Sequence, residues 1–475
     1  MLKDFSKLHT YKKKKINTDM NPFEIFKQIY LNYDNVFILE SLTGPKELSE
    51  FSVIGFDPEF TVKCDNSRFQ IFEKEKKIYD KDVVDPLVEL RKIMPIINDR
   101  KIRYIGGAVG YVSYEAIKFW EQLPPKKTKN MFPLMEFGIY TDGLVHDKKD
   151  NETYYFYIGK KSRFNELDKI IKSNKQVRAN KQVRANKQVR ANSLTYSKPV
   201  SETSRSDFIN KVKTAKEYVY QGEVFQVVIS RKINFVIEGD PMCIYENLRK
   251  LNPSPYMYFF KRKKRLIVGS SPEMLLRVIG NKIDTFPIAG TRPITNNESQ
   301  NRKLKNELLR DKKELAEHTM LVDLARNDLG RVCKFGSVRP KELMIVKRFS
   351  HVQHIVSQIT GELYKKYDCF DAFRSLFPAG TVSGAPKVRA MEVISDLEKT
   401  PRGPYAGALG YFSFNRCCDF AITIRSLFIN GKNAYVQSGA GIVMDSVPTK
   451  EYLETKQKAG ALFSALREAK RNKLK

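Results

Sequence analysis

Residues 224–237 alternate apolar and polar side chains. Phe225, Val227, Ile229, Ile233, Phe235 and Ile237 fall on one face of an extended chain, and Gln226 and Ser230 fall on the other. The pattern predicts a strand with one buried face. Shorter β-rich runs at 36–41, 51–55, 69–72 and 153–158 precede it, with 3.6-residue patterns predicting helices at 22–33 and 85–94. Ahead of the long strand, Ser206 or Asp207 can cap a helix whose stripe is Phe208, Val212, Ala215 and Val219, stopped at Gly222. Further strands are expected at 255–261, 266–268, 275–278, 282–286, 406–414, 420–429 and 433–437. Helices are expected at 302–329 and 450–470, the last with Ala459, Phe463 and Leu466 as its buried stripe. Blocks of antiparallel strands with helices outside them make the chain α+β.

The hexapeptide Lys175-Gln-Val-Arg-Ala-Asn180 recurs at 181–186 and 187–192. Six residues are too few for a solenoid unit, so it reads as a duplication within a surface linker. The organisation predicted is an N-terminal region at 1–174, a linker at 175–199 and a second unit at 200–475. Gly107-Ala-Val-Gly-Tyr-Val-Ser-Tyr114 and Gly407-Ala-Leu-Gly-Tyr-Phe-Ser-Phe414 echo one another, as equivalent strands of two related halves would.

Composition changes this picture little. The net charge of +30 is spread over the chain apart from 12–15 and 261–265, and no nucleic-acid-binding motif accompanies it. A nucleic-acid partner is not expected. No run reaches the roughly 18 apolar residues of a membrane span, and the six cysteines show no Cys-x-x-Cys pair. Both features favour a cytoplasmic protein with reduced thiols and no membrane partner.

Candidate chemistry gathers late in the chain. Phe377-Pro-Ala-Gly-Thr-Val-Ser-Gly-Ala-Pro-Lys387 is a glycine-punctuated loop running into a helical pattern, and reads either as an anion cradle or as ordinary capping. Glu314 and Glu317 share one helix face, as do Glu451 and Glu454. Each pair reads as a solvated face with lysines nearby, or the four together as oxygen ligands for a hard cation such as magnesium. Arg425, within an apolar run, calls for a carboxylate partner. Tyr405 and the backbone of Gly439-Ala440-Gly441 add further groups suited to a small dianion.

The stretches Phe225-Gln-Val-Val-Ile-Ser-Arg231, Ser271-Pro-Glu273, Pro287-Ile-Ala-Gly-Thr291, Lys313-Glu-Leu-Ala-Glu-His318, Asp323-Leu-Ala-Arg-Asn-Asp328, Gly380-Thr-Val-Ser-Gly-Ala-Pro-Lys387, Ile424-Arg-Ser426 and Gly439-Ala-Gly441 resemble, in order, those of anthranilate synthase component I. The resemblance implies the fold of chorismate-binding enzymes, with large antiparallel β-sheets packed as a sandwich and helices on the outside. It also implies a lyase of tryptophan biosynthesis that converts chorismate and ammonia to anthranilate and pyruvate through aminodeoxyisochorismate. Magnesium would be held by Glu317 and Glu454, supported by Glu314 and Glu451. Glu273 matches the general acid, and His354 and Thr381 match residues beside the ring. Tyr405, Arg425, Gly439, Ala440 and Gly441 match the groups holding the pyruvyl side, and Gly290 and Thr291 belong to the same substrate-binding set. Relatives that add water carry lysine where Gln226 stands, and relatives making aminodeoxychorismate often carry lysine where Ala289 stands. Anthranilate formation is therefore expected, with aminodeoxychorismate synthase component I as the alternative. A separate glutamine amidotransferase subunit would supply ammonia. Glu40, Ser41, Pro255, Tyr256 and Met257 match a feedback site for tryptophan.

Overall fold

The predicted strands gather into two antiparallel sheets, of 13 and 12 strands. The structure, a computed structural model, describes residues 10–44, 51–99, 102–124, 130–159, 162–177 and 194–471. The hexapeptide repeat lies outside the described residues except for its first three positions, which close the Phe164–Val177 helix. Beyond the repeat, the linker residues Leu194–Tyr196 form an edge strand beside Gln226–Gly239.

Each sheet joins five N-terminal strands to a larger C-terminal set. In the larger sheet the seam joins Asn35–Glu40 to Tyr256–Arg262, and in the smaller it joins Gly107–Val112 to Ala408–Ser413. The echoing segments are therefore neighbours, with Gly110 opposite Gly410. Outward from the seams, strand order repeats. Phe51–Phe56, Asp142–Asp147, Glu152–Ile158 and Tyr11–Lys15 on one side answer to Arg265–Ser271, Ser426–Asn430, Asn433–Ile442 and Gln226–Gly239 on the other. The chain thus follows one path twice, related by an approximate two-fold axis through both seams.

The sheets pack face to face. Phe260, Phe428 and Tyr435 of the larger meet Tyr111 and Phe132 on the other side, with ring centroids 6.0–6.4 Å apart. Helices cover both outer faces, as Phe370 of Cys369–Leu376 stacking 4.2 Å from Phe412 illustrates. Because both faces are covered, central strands such as Gly107–Val112 and Ala408–Ser413 are buried at every position. Each phenylalanine so buried stabilises by roughly 1.5–3 kcal/mol.

Three local predictions are corrected. The helix expected at 302–329 is two helices, Glu298–Arg310 and Lys312–Gly330. Asp311 ends one and caps the other, its carboxylate accepting from the amides of Lys313 and Glu314 at 3.1 and 3.3 Å. The strand expected at 420–429 breaks between Cys418–Ile422 and Ser426–Asn430, where Arg425 adopts a φ of +53° and the chain crosses between sheets. The strand expected at 433–437 continues to Ile442 and takes Gly439–Gly441 into the ladder with Val228–Ser230.

Candidate active site

Two adjacent crossings between the sheets place the central charges. Glu273 lies where the chain passes from Arg265–Ser271 to Met274–Ile279, and Arg425 where it passes from Cys418–Ile422 to Ser426–Asn430; these strands are paired neighbours. Ile422 donates its amide to the Glu273 carbonyl at 3.1 Å, tying the crossings together. Glu273 is 6% exposed, and burial pushes its pKa up to about 8 despite the opposing pull of Thr381, Lys458, the Ile288 amide and Arg425. At neutral pH it is a carboxylic acid able to donate. Burial pulls the Arg425 pKa down, and its guanidinium forms no ion pair among the described residues. The partner its charge requires is left to a ligand.

The glycine loop is seated by its backbone. Gly384–Ala385 adds a short strand beside Gln226 and Val227, while Phe225 and Val228 donate to the carbonyls of Ala385 and Ser383 at 2.7 and 2.8 Å. Gly384 has φ +139°, and an added Cβ would meet the Gln226 carbonyl oxygen at 2.1 Å. What the loop delivers is Thr381, whose buried hydroxyl has no partner at full hydrogen-bond geometry among the described residues but lies near enough to Glu273 to pull its pKa down. Lys387 is largely turned in from solvent, paired with Asp328 and also donating to the Leu376 carbonyl at 3.3 Å.

His354 stands on the strand Val352–Glu362. Its Nδ1 lies 2.7 Å from the Gly290 carbonyl and 3.1 Å from Thr291 Oγ1. A carbonyl only accepts, so Nδ1 carries the proton and Nε2 keeps its lone pair. Burial, with Arg425 and Lys458 nearby, brings the pKa down to about 4. The ring is thus a neutral base at pH 7, packed 5.2 Å from Phe349.

The third wall is the Gln226–Gly239 and Asn433–Ile442 ladder. A Cβ on Gly439 would come 2.9 Å from the Tyr405 hydroxyl, and one on Gly441 would come 2.6 Å from Gln226 Nε2, so the two glycines open space beneath those polar groups. The Ala440 side chain is fully buried in the core and leaves only its backbone to the pocket. The Ser426–Asn430 strand pairs only as far as Val436, so residues 437–442 have one edge free of strand partners among the described residues. Burial keeps the Tyr405 hydroxyl protonated by raising its pKa.

A buried ion pair fixes this wall. Arg402, 1% exposed, holds Glu398 at 2.7 and 2.8 Å and donates to the carbonyls of Val382 and Val228, each at 2.7 Å. Glu398 in turn accepts from the amide and hydroxyl of Ser230, which lies opposite Gly439. Glycine loop, ladder and Tyr405 turn are thereby tied to one guanidinium. The spacing Glu398 to Arg402 suggests a helical i,i+4 pair on sequence alone, but the carbonyls it collects are not legible there.

The glutamates face one another from the helices Lys312–Gly330 and Pro448–Arg471. The Glu317 pKa rises to about 7, first through burial and then through Glu314, Glu454 and Glu451, with Lys313 opposing. Burial and Glu454 also push Glu451 up. Glu314 is paired with Arg292 at 3.3 Å, and Glu454 with Lys458 at 2.6 Å. No three carboxylates come close enough to coordinate together among the described residues. The donor set nonetheless fits a hard cation: all ligands are oxygens, and a cation would offset the burial and the mutual repulsion that together raise Glu317. His318 anchors the first helix, its Nε2 lying 2.7 Å from Ser357 on the strand that carries His354. Lys458, read from sequence only as a neighbour of the glutamates, also donates to the Gly439 carbonyl at 3.0 Å and acts on both Glu273 and His354.

A separate cleft lies between the sheets. Glu40, Ser41, Pro255, Tyr256 and Met257 all line it, together with Phe51, Arg103, Arg277, Tyr411 and Asp419. The Glu40 carboxylate is already engaged by Arg249 at 2.6 and 3.0 Å and by the Tyr245 hydroxyl at 2.8 Å. Tyr256 donates to Asp419 at 2.9 Å. The free space is about 50 Å³.

Residues 34–464 match the family of chorismate binding enzymes. The chain is 44% identical over 446 residues to anthranilate synthase component 1 of Methanothermobacter thermautotrophicus, covering 94% of this chain and 92% of that one. It is 39% identical to the protein of the same name from Saccharolobus solfataricus, covering 94% and 97%. Among solved structures it resembles anthranilate synthase component I from Streptococcus pneumoniae with a TM-score of 0.72 and 32% identity, covering 95% and 99%. The menaquinone-specific isochorismate synthase of Escherichia coli, at 18% identity and a TM-score of 0.69, shares the fold. The expected α+β sandwich is the one observed, and the chain belongs to the chorismate-binding enzymes, in the branch of anthranilate synthase component 1.

Proposed function

We propose that the protein is the aminating subunit of an anthranilate synthase, converting chorismate and ammonia to anthranilate and pyruvate. The observation that carries the reading is a buried, protonated glutamic acid beside an unpaired arginine and a neutral histidine with a free Nε2. Arg425, the Tyr405 hydroxyl and the free edge at Gly439–Gly441 suit a carboxylate on the substrate's pyruvyl side. In the first step a C–N bond forms as the ring C–O bond breaks, and Glu273 gives its proton to the departing hydroxyl, which leaves as water. In the second, His354 Nε2 takes the ring proton, the ring C–O bond to the enolpyruvyl group breaks, the ring becomes aromatic, and the departing enolpyruvate takes up a proton at its methylene carbon to become pyruvate. Thr381, beside Glu273, orients the ring. Gln226 replaces a base with an amide that cannot take up a proton, which disfavours water as nucleophile.

Glu317 and Glu454, with Glu314 and Glu451 behind them, would hold magnesium, which would neutralise the ring carboxylate and fix its orientation, effects worth several kcal/mol. Ammonia would come from a glutamine amidotransferase subunit, a reading supported by the component 1 naming of the relatives. The cleft containing Glu40 and Met257 would take tryptophan as feedback inhibitor; with about 50 Å³ free, an indole enters only as lining side chains move. A cytoplasmic location accords with six free cysteines, all buried. Among the described residues no helix is long and apolar enough to cross a membrane.

The rival reading, aminodeoxychorismate synthase component I, turns on Ala289, which lies opposite Ile355 beside the His354 strand. Turnover of chorismate with ammonium and magnesium, abolished by chelation and impaired by Ala289→Lys, supports anthranilate synthesis. Unchanged product and rate in Ala289→Lys would count against the role given to this position.

A further inference from the structure

The two-fold path of the chain implies a second copy of the cleft between the sheets. Gly110 and Gly410 face each other on the axis, and Phe137 and Phe420 lie opposite them on the next strands out. Glu136 therefore corresponds to Asp419, Gly138 to Ala421, and Tyr111 to Tyr411. The two carboxylates are held alike, although by residues the two-fold does not relate: Arg277 lies opposite Asp419 where Lys63 lies opposite Glu136. Asp419 holds Arg277 at 2.8 Å on the floor of the first cleft, and Glu136 holds Arg265 at 2.8 Å through Nε on the floor of the second. A tyrosine hydroxyl reaches each carboxylate, Tyr256 at 2.9 Å in the first and Tyr111 at 3.2 Å in the second.

Arg262, at the far end of the seam strand that begins with Tyr256, fills the second position. A Cβ on Gly138 would fall 1.8 Å from its Nη2, so the guanidinium lies directly on Gly138. It is 2% exposed, and Nε, Nη1 and Nη2 have no hydrogen-bond partner among the described residues. Its neighbours are the rings of Tyr140 and Phe260, each centred 5.7 Å away. The one carboxylate on the floor, Glu136, is taken by Arg265 through two bonds. A charged side chain buried without a partner is costly, and a core requirement for volume alone is met by an apolar residue.

We propose that Arg262 is a tethered occupant of a second, two-fold-related ligand cleft, a site that would accept a free guanidinium or similar planar cation if the side chain were removed. The first cleft then remains the one available to a diffusing ligand, giving one such ligand per chain. The proposal stands on the fold and not on which molecule the first cleft takes, so its failure leaves the assignment of the reaction untouched.

The full chain is compared with Arg262→Ala by thermal melting, with and without 10 mM methylguanidinium, using equal sodium chloride and urea as controls. Arg262→Ala is expected to melt lower and to regain at least half the lost interval with methylguanidinium alone, the unaltered chain showing no response. A cooperatively melting variant that gains nothing specific from methylguanidinium overturns the proposal. Should Arg262→Ala fail to fold, Gly138→Ala decides. It is expected to melt lower because its methyl displaces Nη2, and Arg262→Met in the same chain is expected to restore stability. A double variant no more stable than Gly138→Ala overturns the proposal.

Discussion

Replacing Glu273 by glutamine should stabilise the fold while stopping the reaction. With a folded pKa raised to about 8 from an ordinary 4.5, the folded state holds a proton that the unfolded chain releases. Stability from this group is complete below pH 4.5, falls as pH rises, and is lost in full above pH 8. At roughly 1.4 kcal/mol per pH unit, the ionisable side chain costs roughly 3 kcal/mol at pH 7 and roughly 5 kcal/mol above pH 8 relative to a group that never ionises. Glutamine keeps the shape and removes the titration. Urea unfolding of both proteins between pH 5 and 9, without magnesium or chorismate, should show a stability difference that widens in favour of Glu273→Gln up to pH 8 and then levels. Shifts of Glu317 and His354 occur in both proteins and cancel in the difference. Turnover by the variant should fall about 10²–10⁴-fold, the usual range for a lost general acid. A difference that is flat with pH, or a variant retaining activity, would refute the assignment of Glu273 as a buried proton donor.

His354→Asn can still donate to the Gly290 carbonyl but has no base at the position of Nε2, so pyruvate elimination should slow and an aminated, pyruvyl-bearing intermediate should accumulate in chromatograms of quenched reactions. In the unaltered enzyme a His354 pKa near 4 keeps this step base-competent down to about pH 5. Gly439→Ala sets a methyl 2.9 Å from the Tyr405 hydroxyl and 3.1 Å from the Ile229 carbonyl, and should raise the chorismate KM; Tyr405→Phe in the same chain should recover part of the loss. Asp311→Ala removes the cap that starts the helix of Glu314 and Glu317, and should lower stability by about 1 kcal/mol. It should also weaken the magnesium dependence of turnover, measured by titration against EDTA-buffered metal.

The sheet strands were legible because alternation and β-rich composition report burial directly, as in 224–237, whose inward positions at Val227 and Ile229 are fully buried. Phe225 departs from that pattern at 70% exposure because the strand begins only at Gln226. Asp311 was hidden inside a long helical pattern, since the bond its side chain offers the backbone matters only once the next helix turns away. Arg425 read as a charge within an apolar strand; the left-handed φ that takes it out of the strand is a property of the crossing between sheets, set by distant pairing. Of the site, residues grouped by motif, such as Thr381, Gly439 and Gly441, could be named together but not placed on a common wall. That wall depends on Arg402, whose partners Val228, Val382 and Glu398 are far apart in sequence or unmarked by residue type.

The central claim is that this pocket joins ammonia to chorismate and expels pyruvate. Purified protein supplied with chorismate, magnesium and ammonium, without glutamine, should yield anthranilate and pyruvate in equal amounts, separated and quantified by chromatography. Aminodeoxychorismate or isochorismate as the accumulating product, or chorismate left unconsumed, would contradict it.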